Sequence, residues 1–144
     1  MRMSTQFTVS VQLLMLIMSI EDQKVTSEMI SESTGGNPVM IRQLFGKLKN
    51  AGILNVSSGR GATSLAKNPS DISLWDIYMA VEGYNADELF KFHPKISNGC
   101  QIGKFFKEIL GIHLDEAVLA MKEKLSDVTL AQLGSEWQNL NLDN

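Results

Sequence analysis

The sequence predicts a mainly α-helical chain with one small β-hairpin, and three observations support this fold class. Apolar residues recur every three or four positions in several segments, which is the period of an amphipathic helix. A Gly-Gly pair at residues 35–36 separates two such segments, and two further glycines at positions 59 and 61 divide two short β-prone runs. The 144 residues, 44% of them hydrophobic, are enough for one ordinary core, or for a small domain with a helical appendage.

The predicted helices follow one another closely in the first third of the chain. The apolar spacing places the first helix over about residues 4–20. Thr26 can cap a short second helix that ends at the Gly-Gly pair. Asn37 is then a good N-cap and Pro38 a good first helical residue for a third helix, which Gly52 ends. Two helices joined by a tight glycine turn are typical of a helix-turn-helix.

A β-hairpin follows the third helix and predicts a wing. Residues 53–56 read as one strand, residues 64–66 as its weak return, and Arg60 stands at the tip between two glycines. The next helix, over about residues 72–83, has an apolar stripe that can pack back on the domain. We therefore predict a winged helix-turn-helix domain over residues 1–84, with a sensor-like loop and dimerisation helices over residues 85–144.

Charge is distributed unevenly along the chain. The formal net charge is -3, yet residues 1–67 carry +3 and residues 68–144 carry -6. No Asp or Glu occurs between Glu32 and Asp71, whereas five cations fall in that window. A basic face on an acidic protein is typical of polyanion binding, for example to duplex DNA, and chance clustering on a solvated surface is the alternative.

The predicted third helix is the candidate recognition helix. In a helix-turn-helix the N-terminal residues of this helix face the base edges in the major groove, where Arg reads guanine and Gln reads adenine. Arg42 and Gln43 are therefore the leading base-contact candidates, while an ordinary helical hairpin with a solvated outer face is the alternative. The complete set of predicted DNA contacts is Asn37, Val39, Met40, Arg42, Gln43, Lys47, Ser57, Ser58, Arg60 and Lys67.

A long helix is predicted over about residues 99–125. Its apolar stripe is wider than one neighbour can cover, so we expect a second copy of the chain to cover it, although a monomer whose helix folds back is possible. The predicted interface residues are Phe106, Leu110, Leu114 and Met121.

Five segments follow one another along nearly the whole chain: "MRMST", "NPVMIRQLFGKLKNAGIL", "SLAKNPSDISLWDIYMAVEG", "HPKISNGCQIG" and "LSDVTLAQL". In their order and spacing they resemble the Rrf-two (Rrf2) family of bacterial transcriptional regulators. The resemblance implies a homodimeric, winged helix-turn-helix regulator that binds a palindromic operator. Family wings usually carry an arginine where this chain has Ser57, and family recognition helices often carry a glutamate where this chain has Arg42.

The single cysteine, Cys100, decides what the resemblance implies about cofactors. Family members that bind an iron–sulfur cluster have three cysteines in this loop, and one thiolate cannot hold such a cluster in the usual way, so no cofactor is expected. Asn98 can cap the long helix and would place Cys100 in its first turn, near Lys104, where a thiolate is favoured. Cys100 is therefore a candidate redox sensor; a small packed apolar residue and a cofactor ligand are the alternatives.

Catalysis has little support in the sequence. His93 and His113 form no recognisable metal or nucleophile pattern, and the wing glycines do not form a phosphate loop, so we expect no enzyme and no metal. No stretch is long enough to span a bilayer or reads as a secretion signal, and a cytoplasmic location is expected. The sequence thus predicts a homodimeric DNA-binding regulator that acts as a repressor. The alternative prediction is a winged-helix protein-interaction module that binds no DNA.

Overall fold

The computed structural model describes residues 4–20, 25–56, 63–83 and 86–144, without the side chains of residues 86 and 87. The described residues divide into two compact units. The winged body comprises residues 4–83 and 125–144, and the helical arm comprises residues 86–124. The fold is mainly helical with one small antiparallel hairpin, which confirms the predicted fold class.

Three helices begin the winged body. They are α1 (Gln6–Ser19), α2 (Ser27–Thr34) and α3 (Pro38–Asn50). Both predicted caps are confirmed: the Thr26 hydroxyl accepts from the backbone N–H of Met29 at 3.2 Å, and the Asn37 side chain accepts from that of Met40 at 2.8 Å. These bonds satisfy amides that have no partner inside the helix, and so fix where α2 and α3 begin.

A two-stranded hairpin and a fourth helix complete the first part of the body. Strand β1 (Leu54–Asn55) pairs with β2 (Ser64–Leu65) in antiparallel register, with Leu54 opposite Leu65. A short 3-10 helix (Pro69–Asp71) leads to α4 (Leu74–Val81), which starts with a reciprocal capping box between Ser73 and Asp76. The core behind these elements is apolar: it includes Leu54 of β1 with Ile77 and Val81 of α4, and Leu65 of β2 is partly buried against it.

The C-terminal helix, α7 (Leu130–Leu142), packs on the winged body. The backbone N–H of Leu74 donates to Val128 O at 2.9 Å, and that of Leu130 donates to Ile72 O at 2.8 Å, on either side of a β-bridge between Ser73 and Thr129. Leu130 is fully buried in the core. The structure therefore groups residues 125–144 with the winged body, whereas the sequence analysis placed everything after residue 84 in a second domain.

The helical arm contains α5 (Ala86–Leu89) and nearly all of α6 (Gln101–Ser126). The long helix begins at Gln101, and the backbone N–H of Lys104 donates to Cys100 O at 2.9 Å. Cys100 therefore occupies the capping position that the sequence analysis assigned to Asn98, because the first helical hydrogen bond ends on its own carbonyl. Among the described residues, no helix combines the length and the apolar character needed to cross a membrane.

Candidate nucleic-acid interface

The turn between α2 and α3 holds the recognition helix in a defined place. Gly35 has a φ of 77°, a left-handed conformation that favours glycine, and the Ser31 hydroxyl donates to Gly36 O. A Cβ on Gly36 would lie 2.6 Å from the terminal methyl of Met40, so a side chain here would have to displace that methyl group. The two glycines thus have different roles, since one permits the backbone conformation and the other the close approach of α3.

The two faces of α3 have opposite character. Ile41, Leu44 and Leu48 are fully buried and attach the helix to the core. The opposite face is exposed and carries no carboxylate, and among the described residues no hydrogen bond engages the Arg42 guanidinium. This outer face of α3 consists of Val39, Arg42, Gln43, Gly46, Lys49 and Asn50.

Gly46, near the middle of this outer face, was not among the predicted site residues. It has ordinary helical geometry, and a Cβ placed there would meet nothing within 4 Å. The protein's own packing therefore does not require glycine here, although glycine in a helix interior costs about 0.5–1 kcal/mol relative to alanine. A missing side chain on an exposed helix face leaves the backbone open to a partner's close approach.

Lys49 was not a predicted contact but lies on the outer face, whereas Lys47 was a predicted contact and does not belong to that face. Lys49 is exposed and lies seven residues, or about two helical turns, after Arg42, so the two side chains share one face of α3. The Lys47 ammonium instead donates to Gln6 Oε1 at 2.8 Å and to Val81 O at 3.1 Å. The Lys47 side chain therefore lies toward α1 and the end of α4, away from the outer face, because its ammonium hydrogen-bonds to these two acceptors.

Two predicted contacts at the start of α3 also have roles inside the protein. Asn37 is exposed, but its side-chain oxygen is engaged by the cap. Met40 is half-buried and packs against the core. Val39 lies between them in the sequence and is 59% exposed, so it is the more exposed of the two hydrophobic candidates in this turn. The exposed N-terminal part of the outer face is therefore formed chiefly by Val39, Arg42 and Gln43.

The wing contributes one described candidate. Lys67 is exposed just after β2, in the segment that leads to the 3-10 helix. The predicted contacts Ser57, Ser58 and Arg60 lie outside the described residues. The assignment of the wing tip thus stays a prediction from the sequence.

The long helix α6 presents two apolar stripes. The predicted interface residues are partly covered within the arm. The Phe106 ring packs edge-on against the Phe92 ring, with 5.8 Å between the ring centroids. Phe106 also lines a cavity of about 520 Å³ beside the preceding loop, together with Leu110 and Leu114. Met121 is half-buried as well. A second stripe, here called the outer seam, is more exposed, at 47–74%, and consists of Ile102, Phe105, Ile109, Ile112 and Leu119.

The outer seam has the spacing of a paired helix. Its positions alternate steps of three and four residues, with Glu116 in the one remaining place. This is the a/d pattern by which two helices pack side by side. The seam is not among the interface residues predicted from the sequence, although the alternation of three and four distinguishes its positions from the other apolar residues of the helix.

The thiol of Cys100 lies at the start of α6 and is exposed. The backbone N–H groups of Gly103, first, and Ile102, second, hydrogen-bond to the sulfur and lower the pKa of Cys100 below its usual value. The sulfur therefore takes the place that a hydroxyl or amide oxygen has in an ordinary N-cap, and these hydrogen bonds stabilise the thiolate relative to a free thiol.

Comparisons with known proteins identify the family. The family model described as "Rrf2: Iron-dependent Transcriptional regulator" matches residues 3–136. This chain belongs to the Rrf2 family. It is 34% identical over 88% of its length to a candidate HTH-type transcriptional regulator, YwnA of Bacillus subtilis (strain 168), and covers 92% of that protein.

Solved structures show the same fold. A crystal structure of a candidate DNA-binding protein is 32% identical, with a TM-score of 0.71 over 89% of this chain and 97% of that one. CymR, the global cysteine regulator of B. subtilis, has a TM-score of 0.65 at 22% identity, over 94% of this chain and 97% of CymR, and shows the fold alone. This Rrf2 protein is thus a transcriptional regulator with a winged-helix fold.

The family description mentions iron, and the donor set of this chain does not fit an iron–sulfur cluster. Such a cluster needs about four protein ligands, usually thiolates. The sequence contains one cysteine, and the described residues contain no group of three or more His, Cys, Asp or Glu side chains that could hold a metal ion. His93 is engaged locally, since its Nδ1 accepts from the backbone N–H of Lys95 at 3.1 Å.

Proposed function

We propose that this Rrf2 protein is a homodimeric repressor that binds a palindromic operator through α3 of each copy. The observation that carries the proposal is the outer face of α3, which is exposed, free of carboxylates and opened by Gly46. In a winged helix-turn-helix this face enters the major groove, and a two-fold dimer presents two such helices to two half-sites. A protein bound there occludes the promoter.

The residues of this face divide between reading bases and holding phosphates. Arg42 and Gln43, near the start of the helix, carry the side chains that pair bidentately with guanine and adenine. Lys49, two turns further on, suits a phosphate contact, and Lys67 after the wing suits another. Gly46 lets the helix backbone approach the edge of the groove.

Selection of bound sequences from a random DNA pool, followed by titration at several salt concentrations, tests the proposal. We expect a palindromic site. The logarithm of the association constant should fall linearly with the logarithm of the salt concentration, with a slope of about -0.9 per phosphate contact. Arg42→Ala should relax the base preference at one position of each half-site. It should weaken the free energy of binding by about 1–3 kcal/mol for each base contact that is lost. Lys122→Ala, which removes an exposed cation from α6, is the matched control and should bind normally.

Transcription in vitro from a promoter that contains the selected site distinguishes repression from activation. Added protein should lower the amount of transcript. An affinity that does not respond to salt or to Arg42→Ala would instead support the interaction module that binds no DNA.

The outer seam of α6 supports the dimer. Each copy exposes five large apolar side chains at coiled-coil spacing, and pairing of two seams would remove them from water. Sedimentation of the purified protein should show a dimer at micromolar concentration. A monomer at every concentration that can be reached would refute this part of the proposal.

Cys100 supports thiol-based regulation of the same dimer. Its thiolate can attack hydrogen peroxide: an S–O bond forms as the O–O bond breaks, sulfur is oxidised to the sulfenic acid, and hydroxide leaves and takes a proton from solvent. The product disturbs the cap of the helix that carries the seam. We expect mild peroxide to weaken operator binding by the wild type and not by Cys100→Ser, with mass spectrometry to confirm the adduct. An equal response of the two proteins would exclude this route.

A further inference from the structure

A cavity of about 480 Å³ lies inside the winged body, and no part of the DNA-binding proposal uses it. Helix α1 forms its floor, α7 forms one wall, and the end of α2 together with the segment after β2 forms the other. We call it the α1–α7 cavity. Its size is within the range of small-molecule sites, which is roughly 300–1,000 Å³.

The lining of this cavity is uncharged, although 20% of the chain consists of charged residues. Its polar groups are side-chain amides and hydroxyls, among them Gln12, Asn68, Ser135 and Gln138. An ionised ligand would lose hydration there without gaining an opposite charge, which is costly. The cavity therefore suits a neutral ligand.

The apolar part of the lining suits a flat ring. Trp137 lines the cavity and is 46% exposed, and Met15 and Met18 lie on the floor. Aromatic faces stack with one another, and thioethers pack favourably against aromatic rings. Gln12 Oε1 accepts no hydrogen bond from the described residues, nor does the Gln138 amide make one, so both can meet a polar edge of the ligand.

The floor and the α7 wall form a preset cleft. A Cβ on Gly134 would lie 2.5 Å from the terminal methyl of Met18, so α7 lies directly against α1 at this point. Gly134 is buried, while Ser135, the next residue along α7, is exposed at the cavity. A side chain added at Ser135 can therefore fill the cavity without disturbing the helix contact.

The third wall connects the cavity to the DNA-binding elements. The Gln12 amide donates to Ser33 O at 2.9 Å and to the Ser33 hydroxyl at 3.1 Å, one residue before the end of α2. Asn68, on the same wall, caps the 3-10 helix that follows β2. A molecule bound here would contact the residues that hold the helix-turn-helix turn and the exit of the wing.

We infer that the α1–α7 cavity binds a small, neutral, planar molecule, stacked on Trp137 and hydrogen-bonded by Gln12 and Gln138, and that its occupancy changes the affinity of the protein for DNA. The second half of this inference rests on the proposed function. The first half does not, because binding can be measured with no DNA present.

The test uses two probes with the same ring system. 1-Naphthol is neutral and carries one hydroxyl, while 1-naphthoate carries a carboxylate. Saturation-transfer NMR and calorimetry on the full chain should show binding of 1-naphthol with a Kd below about 1 mM and binding of 1-naphthoate at least about tenfold weaker. Ser135→Phe should abolish binding of 1-naphthol, whereas Asn139→Phe, on an exposed position of the same helix outside the lining, should not.

Each outcome decides one part of the inference. Failure of 1-naphthol to bind, equal binding of 1-naphthoate, or undiminished binding to Ser135→Phe would overturn the site, whatever the protein does with DNA. Conversion of the dimer to a monomer by Ser135→Phe would show that a second copy occupies the cavity, and would also overturn it. Binding of 1-naphthol by a protein that binds no operator would leave the site in place and refute the proposed function instead.

A variant with Trp137→Leu provides a second check that does not depend on filling the cavity. It should weaken 1-naphthol at least about fivefold, since a stacking partner contributes on the order of 1 kcal/mol. Circular dichroism should show an unchanged fold, because Trp137 is half exposed. In the wild type, saturation with 1-naphthol should shift operator affinity at least about threefold; an unchanged affinity at saturation would overturn the regulatory half.

Discussion

Replacement of Gly46 by alanine should stabilise this Rrf2 protein and weaken its binding to DNA. The position has helical geometry and open space around the missing Cβ, so the new methyl group meets no atom of the protein. Alanine loses less backbone freedom on folding than glycine, and the expected gain is about 0.5–1 kcal/mol in the free energy of unfolding. For a chain of this size the melting temperature should rise by about 2–4 °C.

The same methyl group should obstruct a groove-bound helix. It projects from the outer face of α3, between the turn that carries Arg42 and Gln43 and the turn that carries Lys49. Inserting a methyl group into a closely packed contact typically costs about 1–3 kcal/mol. Operator affinity should therefore fall by roughly tenfold or more, since 1.4 kcal/mol corresponds to a factor of ten.

Two measurements on the same preparation test this prediction. Thermal unfolding gives the stability, and fluorescence anisotropy with labelled operator gives the affinity. Gly111→Ala is the matched control, because it also adds a methyl group in open space within a helix, on the side of α6 away from the outer seam. It should stabilise the protein without affecting DNA binding.

Opposite signs in stability and affinity are the decisive feature of this experiment. A variant that merely misfolds would lose both. An affinity equal to that of the wild type, together with the expected rise in melting temperature, would show that nothing approaches the backbone of α3 at Gly46, and would refute the close-approach argument.

Three further predictions follow from other contacts. Ile109→Glu, in the outer seam, should give monomers in sedimentation, because pairing would bury an unpaired charge, whereas Leu114→Glu should chiefly destabilise the arm in thermal unfolding. Lys49→Gln should weaken all duplexes alike and reduce the salt slope by about one, whereas Lys47→Gln should leave the slope unchanged and lower the melting temperature through its two lost bonds. Since hydrogen bonds lower its pKa, Cys100 should react with iodoacetamide at a lower pH than the same thiol in the urea-unfolded chain, and coinciding pH–rate profiles would contradict this.

Local chemistry explains the elements that were predictable from the sequence. Thr26 and Asn37 cap their helices as expected because a cap depends on a few neighbouring residues. The glycine turn, the β-hairpin and the apolar face of α3 depend on equally short patterns. These elements place the outer face of α3, and for that reason the exposure of Arg42 and Gln43 on this face was predictable from the sequence.

Contacts between distant segments were not predictable in the same way. The β-bridge of Ser73 with Thr129, which attaches α7 to the winged body, joins two residues more than fifty positions apart in the chain. Nothing in the spacing around Thr129 indicates that partner. The α1–α7 cavity depends on the same attachment, so it too could appear only in the folded protein.

Lys47 shows why charge in a sequence window overstates a binding surface. The window from residue 33 to residue 70 contains five cations and no carboxylate, and all five were counted equally. The Lys47 ammonium nevertheless finds two oxygen acceptors inside the winged body. A count of opposite charges does not detect a cation that hydrogen-bonds to neutral acceptors, so the acid-free window could not predict which lysine of α3 belongs to the outer face.

The two stripes of α6 give the strongest physical reason for a dimer. The inner stripe, with Phe106, Leu110 and Leu114, already finds partial cover in the loop of its own arm. Its width therefore does not require a second chain. The outer seam has no such cover: Ile102 is 74% exposed and Ile109 is 63% exposed. Full burial of such a side chain contributes about 1.5–3 kcal/mol, so pairing two seams offers each copy a stabilisation that the isolated chain lacks. The apolar residues that remain exposed after the chain has folded are thus what favours a dimer, and not the total number of apolar residues in the helix.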